Sequence, residues 1–247
     1  MIINADDFGL NRRCTDAICE AFVKGYITDT TFIANGDAYE YSIECISKYN
    51  LEDKIGIHFN LTEGIPLTED IKACDMFCID GKFKGRINRL KILNKKEKEA
   101  LYLELSAQIE KLENSGVKLN HCDSHHHIHT GFFIMPVVLK VCKKHNINKI
   151  RAHRNIGKIS LYKRIGKYIY NLILKLKGFK TTKYFCFDSD LDNKDIPSDI
   201  EIMVHPDYDI DHKLIDIRVW SEDNVEGIEF DKLNCLKAKD KISYIDL

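Results

Sequence analysis

Two hydrophobic periods take turns along this chain. Ile2 to Ala5 is a short, mostly apolar run that predicts a strand, and Asn11 to Lys24 follows the helical period, with Gly25 placed as its stop. Thr31 to Ala34 is β-branched and apolar, then Ala38 to Tyr49 reads as a helix with Tyr41, Cys45, Ile46 and Tyr49 on one side. Lys54 to Leu61 alternates in the strand manner and carries His58. Residues 74–86 predict a hairpin turning at Asp80-Gly81. Asn94 is placed to cap a charged helix from Lys95 to Asn114, which Gly116 ends.

The same alternation continues downstream. A strand is expected at Lys118 to Cys122, a helix through Pro136 to Lys144, and a short strand at Lys149 to Ala152. Tyr184 to Phe187 and Glu201 to Val204 read as later strands; a helix near Phe230 to Ala238 and a last strand at Ser243 to Ile245 close the series. Repeated β-then-α order predicts an α/β fold, a parallel sheet with covering helices, either open or closed into a barrel. No internal repeat, low-complexity tract or long linker divides the chain, so residues 1–247 are expected to form a single domain.

One stretch stands apart. From Gly157 to Phe187 there is no acidic residue, while Lys158, Lys163, Arg164, Lys167, Lys175, Lys177, Lys180 and Lys183 are basic. Leu161, Ile165, Tyr168, Leu172 and Leu176 fall at helical spacing within it. Such a basic amphipathic helix suits anionic lipid or an acidic partner, and it equally suits an ordinary helix with a solvated face. This segment, around 157–183, is where a lid, an oligomer contact or an insertion is expected.

Composition narrows the function classes. At 247 residues the chain can bury a sizeable core without disulfides or metal staples. Lys plus Arg total 37 and Asp plus Glu 38, which predicts no bulk attraction to nucleic acid. The nine cysteines are odd in number and contain no Cys-x-x-Cys, so free thiols in a reducing cytoplasm are the expectation. Asp6-Asp7 interrupts the apolar run that a signal peptide would need, and no run approaches the ~20 residues of a membrane span. A cytoplasmic protein with no membrane partner is therefore expected.

The chemistry lies in residues far apart in sequence. Asp6 and Asp7 follow the first strand, His58 lies near the end of another, His125 follows a third, and His205 ends Glu201-Ile202-Met203-Val204. In a parallel α/β fold the carboxyl ends of the strands share one face, where ligands bind. Five of the ten histidines fall between His121 and His129, beside an apolar helix containing Phe132, Phe133, Met135 and Val138. Burying several imidazoles there without partners would be costly. Taken singly, the features have plainer readings: paired aspartates also make solvated turns and helix caps, His58 suits a satisfied core position, and Pro206 merely ends a strand. Taken together, they predict a metal-dependent hydrolase.

Read jointly, these segments resemble the YdjC-like carbohydrate deacetylase family, which includes chitooligosaccharide deacetylases. The resemblance rests on Asn4-Ala5-Asp6-Asp7-Phe8-Gly9, His58-Phe59-Asn60-Leu61-Thr62, Asp123-Ser124-His125-His126-His127-Ile128-His129 and Val204-His205-Pro206, in that order along nearly the whole chain. It implies a distorted, TIM-barrel-like (β/α) fold and hydrolysis of N-acetyl groups from short amino-sugar oligomers. It also implies a divalent metal, usually magnesium, held by Asp7, His58 and His125, with Asp6 as general base; dimerisation is a family-level expectation. Two imidazoles and one carboxylate also suit zinc or another transition metal. His205 is assigned to protonating the departing amine, and Asp123 and His127 to orienting the ligand imidazoles. Arg151 and Arg154 are candidates for reaching substrate hydroxyls. Two other readings stay open: a metal phosphoesterase or different amidohydrolase, and a non-catalytic sugar- or metal-binding protein on the same barrel.

Overall fold

The computed structural model describes residues 1–191, 196–220, 225–237 and 240–247. The first half alternates as expected: β1 (Ile2–Phe8), α1 (Arg12–Val23), β2 (Asp29–Phe32), α2 (Tyr39–Tyr49) and β3 (Ile55–Phe59). A one-turn α3 (Glu69–Lys72) precedes the small hairpin β4 (Cys78–Ile79) and β5 (Lys82–Phe83), then comes α4 (Lys95–Asn114). Next are β6 (Cys122–Ser124), α5 (Met135–Lys144), α6 (Leu161–Leu176), β7 (Tyr184–Phe187) and β8 (Ile200–Val204). Three antiparallel strands follow, β9 (Pro206–Tyr208), β10 (Leu214–Trp220) and β11 (Val225–Glu229).

Local chemistry sets the helix limits. The Asn11 side chain accepts from the Cys14 N–H and starts α1. Asn94 and Glu97 form a reciprocal capping box at the head of α4. Asn50, left-handed at φ 56°, ends α2.

Six strands form one parallel sheet in the order β6-β3-β2-β1-β8-β7. The sheet curls, and residues 148–155 tie its two edges together. Against β6, Cys122 N–H donates to Lys149 O and Arg151 N–H to Cys122 O; on the other side, Ile150 N–H donates to Lys180 O and Asn155 N–H to Phe185 O. Because its hydrogen bonds are split between two neighbours, this segment makes isolated bridges rather than the regular strand expected at Lys149 to Ala152. The result is a distorted barrel-like α/β fold.

Other expectations are corrected at the carboxyl end. Phe230–Lys232 and Asn234–Lys237 are short 3₁₀ turns rather than one helix, and Ala238 lies outside the described residues. Ser243 to Ile245 is no strand: Ser243 caps a 3₁₀ turn at Tyr244–Asp246. The Ser243 hydroxyl (2.6 Å) and the Tyr244 N–H (3.0 Å) donate to Asp29, which fixes this end of the chain at the start of β2.

Strand alternation sorts the residues between two environments. Ile3 and Ala5 of β1, Ile55, Ile57 and Phe59 of β3, Cys122 of β6 and Ile200, Ile202 and Val204 of β8 belong to the apolar core under the helices. The intervening residues line the inside of the curl, and many are polar and buried: Asn4, Asp6, Thr31, His58, Asp123 and Glu201. Gly56 is the small member of this set. A β-carbon there would come within 2.5 Å of the His121 ring.

Candidate active site

A regular strand would send Asp6 and Asp7 to opposite faces. The pairing of β1 with β2 shifts between Ala5 and Phe8, and Asp7 takes a left-handed φ of 72°. That irregularity turns both carboxylates toward the interior, and a non-glycine residue in this region costs backbone energy. A second irregular turn follows β6, where His126 and His127 have φ of 50° and 53°.

Asp7, His58 and His125 meet at one point. Asp7 Oδ1 lies 2.7 Å from His125 Nδ1 and 3.1 Å from His58 Nε2. The far nitrogen of His58 is held by Asp123, Nδ1 to Oδ1 at 2.6 Å, and Thr31 Oγ1 lies 2.9 Å from the same nitrogen. The far nitrogen of His125 lies 3.3 Å from Glu63 Oε1. His205 stands at the edge of the group, its Nε2 4.0 Å from Asp7 Oδ2 and its backbone N–H on Asp216.

Asp6 has a different set of partners. The fully buried Arg151 donates Nη1 to Asp6 Oδ2 at 2.7 Å and Nη2 to Asp6 Oδ1 at 2.6 Å, and Asn4 donates to Oδ1 at 2.9 Å. The same guanidinium reaches Asp123 Oδ2 at 2.7 Å and Glu201 Oε1 at 2.6 Å. Tyr244 donates its hydroxyl to Glu201 from below. A partnered column of charge therefore runs through the barrel, from Tyr244 through Arg151 to the Asp7 group.

The charge states follow from these contacts. Burial alone would raise the Asp6 carboxyl, but Arg151 outweighs it and the net shift is downward. Burial likewise opposes ionised Asp7, and the His125 and His58 rings reverse that and hold it well below the usual carboxylate range. Burial would lower His58, yet Asp123 and Asp6 push it up to about 10; His125, facing Asp7 and Glu63, is pushed up to about 9. One guanidinium cannot satisfy three carboxylates: at Glu201 burial outweighs Arg151 and the Tyr244 hydroxyl, and its carboxyl is pushed up to about 7.

Two imidazolium rings around one carboxylate make a charge pattern that a dication can replace. Donor atoms bound at about 2.1 Å and at right angles lie about 3 Å apart, which matches the 2.7 and 3.1 Å spacings from Asp7 Oδ1. The three side chains are buried, and their donor atoms lie within 4.8 Å of one another. A carboxylate behind His58 is the arrangement that orients an imidazole toward a metal. The residues present fit a divalent metal.

Two expectations are corrected. His127 touches none of the candidate ligands: it packs among Phe185, Phe187 and His129, and burial drives it down to about 3. Arg151 cannot reach a substrate hydroxyl, because its donors are directed to Asp6, Asp123 and Glu201. Arg154 pairs with Asp190 and lies over the Phe187 ring. Sequence reading passed over Asn4, Thr31, Glu63 and Glu201. Glu201 did leave a signal, a charge inside an apolar strand; Thr31 left none.

A curled parallel sheet that gathers carboxylates and imidazoles at its carboxyl edge defines a barrel-like α/β protein with a candidate metal site. The family model described as YdjC-like protein matches residues 1–234, and the chain belongs to that family. It is 30% identical to a carbohydrate deacetylase of Halalkalibacterium halodurans over 99% of each chain. It is also 30% identical to a carbohydrate deacetylase of Clostridium beijerinckii over 100% of this chain and 94% of that one. A third carbohydrate deacetylase, from Oceanobacillus iheyensis, is 37% identical, and there the match spans 59% of this chain and 61% of the relative. Among solved structures, one from Enterococcus faecalis, described as a proposed cellobiose-phosphate cleavage protein, superposes with a TM-score of 0.65. The two share 22% identity, over 84% of this chain and 80% of the other, which shows the fold alone.

Proposed function

We propose that this protein removes N-acetyl groups from short acetylated amino sugars such as chitooligosaccharides, with the help of a divalent metal. The observation that carries the reading is the meeting of Asp7, His58 and His125 beside an aspartate locked by buried Arg151. Asp7, His58 and His125 hold the metal; magnesium is the family expectation, and the donor set equally suits zinc. When bound, such a metal polarises an acyl oxygen and lowers the proton affinity of water.

The chain's own groups do the rest. Asp123 fixes the His58 ring so that Nε2 faces Asp7. Arg151 and Asn4 hold Asp6 ionised and immobile; Oδ2, with one guanidinium contact, keeps a lone pair for the proton of the attacking water. Such a positioned base is worth about 10² to 10⁴ in rate. His205, at the rim and about one-third exposed, delivers a proton to the departing nitrogen. The C–N bond breaks, water adds to the acyl carbon, and acetate and a free amine result. Release of acetate from N,N′-diacetylchitobiose, abolished by chelator and restored by added divalent metal, is the expected result. Turnover unaffected by chelation would remove the metal from the account, and no acetate under any divalent metal would remove the substrate class.

A further inference from the structure

The barrel interior accounts for the chemistry but leaves α6 unexplained. This 16-residue helix meets the body through buried Tyr170 and Leu174, with Ile173 packed beside them and Asn171 hydrogen-bonded to the His153 backbone. The opposite side carries Leu161, Tyr162, Ile165, Tyr168, Ile169, Leu172 and Leu176, with relative exposures of 42 to 77%. At 1.5 Å per residue they form a stripe about 24 Å long. Contiguous apolar surface on this scale marks an interaction site, whereas scattered exposed side chains do not.

Charge identifies the partner. Arg164 and Lys175 are exposed along the edge of the stripe, and residues 157–187 hold eight basic residues and no acidic one. Taking those eight from the 37 basic residues leaves 29 against 38 acidic ones, so the rest of the chain carries a net charge of −9. A two-fold contact between copies would set one cationic segment against its twin, with no acidic residue in either to pair. An anionic lipid surface satisfies both features, taking the apolar stripe among its acyl chains and the cations at its headgroups.

We propose that α6 docks the protein on anionic membrane surfaces. Among the described residues no helix is long and apolar enough to cross a membrane, so the helix lies in the surface plane. Docking would bring the site close to the bilayer, because the Tyr170 hydroxyl donates to the His129 backbone in the turn after β6.

Vesicle flotation tests this with the full chain and no sugar substrate, so it stands or falls apart from the deacetylase reading. Vesicles containing phosphatidylglycerol should bind about tenfold or more tightly than vesicles of phosphatidylcholine alone, and added salt should weaken the binding. Ile165→Ser with Leu172→Ser, and separately Arg164→Glu with Lys175→Glu, should each lower anionic-vesicle binding about tenfold. All four positions are exposed, and an unchanged circular dichroism melt confirms folding. Absent or charge-independent vesicle binding would overturn the proposal. So would a concentration-dependent dimer that the serine variant disperses, since that would assign the stripe to a second copy.

Discussion

Inside the curled sheet charge is buried, while on the outer side of α6 apolar surface is exposed. Both regions reverse the common arrangement, and they do so in opposite directions. In the barrel the reversal is compensated: Arg151 meets Asp6, Asp123 and Glu201, and Asp7 meets two imidazoles. On α6 nothing among the described residues covers the stripe, and the membrane proposed above would supply its partner from outside. A buried polar network in which most charges are partnered holds fixed geometry, which suits a reaction site. An apolar face with a basic surround suits a soft, extended partner.

The largest effect is expected where the buried column is cut. Arg151→Met leaves three buried carboxylates without their cation, and urea unfolding should show a loss of about 3–5 kcal/mol. A loss below about 1 kcal/mol would mean that the carboxylates relax to neutrality at little cost.

Asp29, at the opposite end of the barrel, offers a pH-dependent contrast. Burial raises its carboxyl from 3.8 to about 6, despite hydrogen bonds from Ser243, Thr28 and Tyr244. A carboxyl raised in the folded state contributes fully below its unfolded pKa, and that contribution is lost as pH rises through about 6. The total is about 3 kcal/mol at 1.36 kcal/mol per pKa unit. Asp29→Asn, which does not titrate, should therefore compare about 2 kcal/mol more favourably with the parent at pH 7 than at pH 4.5. Equal differences at the two pH values would show that Asp29 is ionised throughout.

A finer comparison sets the two ring-holding carboxylates against each other. Asp123 is buried and sits 2.6 Å from His58, whereas the exposed Glu63 lies 3.3 Å from His125. Asp123→Asn should weaken metal binding about 10- to 100-fold in calorimetric titration. Glu63→Gln should weaken it less than about tenfold, because water replaces an exposed carboxylate readily. The reverse order would mean that His125, and not His58, anchors the metal.

The parts legible in the sequence were those written by local rules. Gly25 marked the end of one helix and Asn94 the start of another, Asp80-Gly81 its hairpin, and strand order with the Asp and His placements pointed to one rim. What stayed hidden depended on direction and register. Nothing in Arg151-Ala152-His153-Arg154 says that Arg151 points into the barrel and Arg154 toward Asp190. The segment's hydrogen bonds are shared between two strands, so its period is not that of a strand. The β9–β11 sheet also went unread, although Leu214 to Trp220 is rich in strand-forming residues. The turn that brings Asp7 beside Asp6 is a backbone irregularity, visible only once β1 is paired with β2.

The central claim is that these two neighbours divide the work, Asp7 holding the metal and Asp6 accepting a proton. Asp6→Asn tests it most directly, with metal affinity by titration calorimetry and acetate release measured on one preparation. The account predicts metal affinity within about threefold of the parent and turnover lower by about 10² to 10⁴. Unchanged turnover with intact metal binding would contradict it, and loss of the metal together with activity would place Asp6 among the ligands.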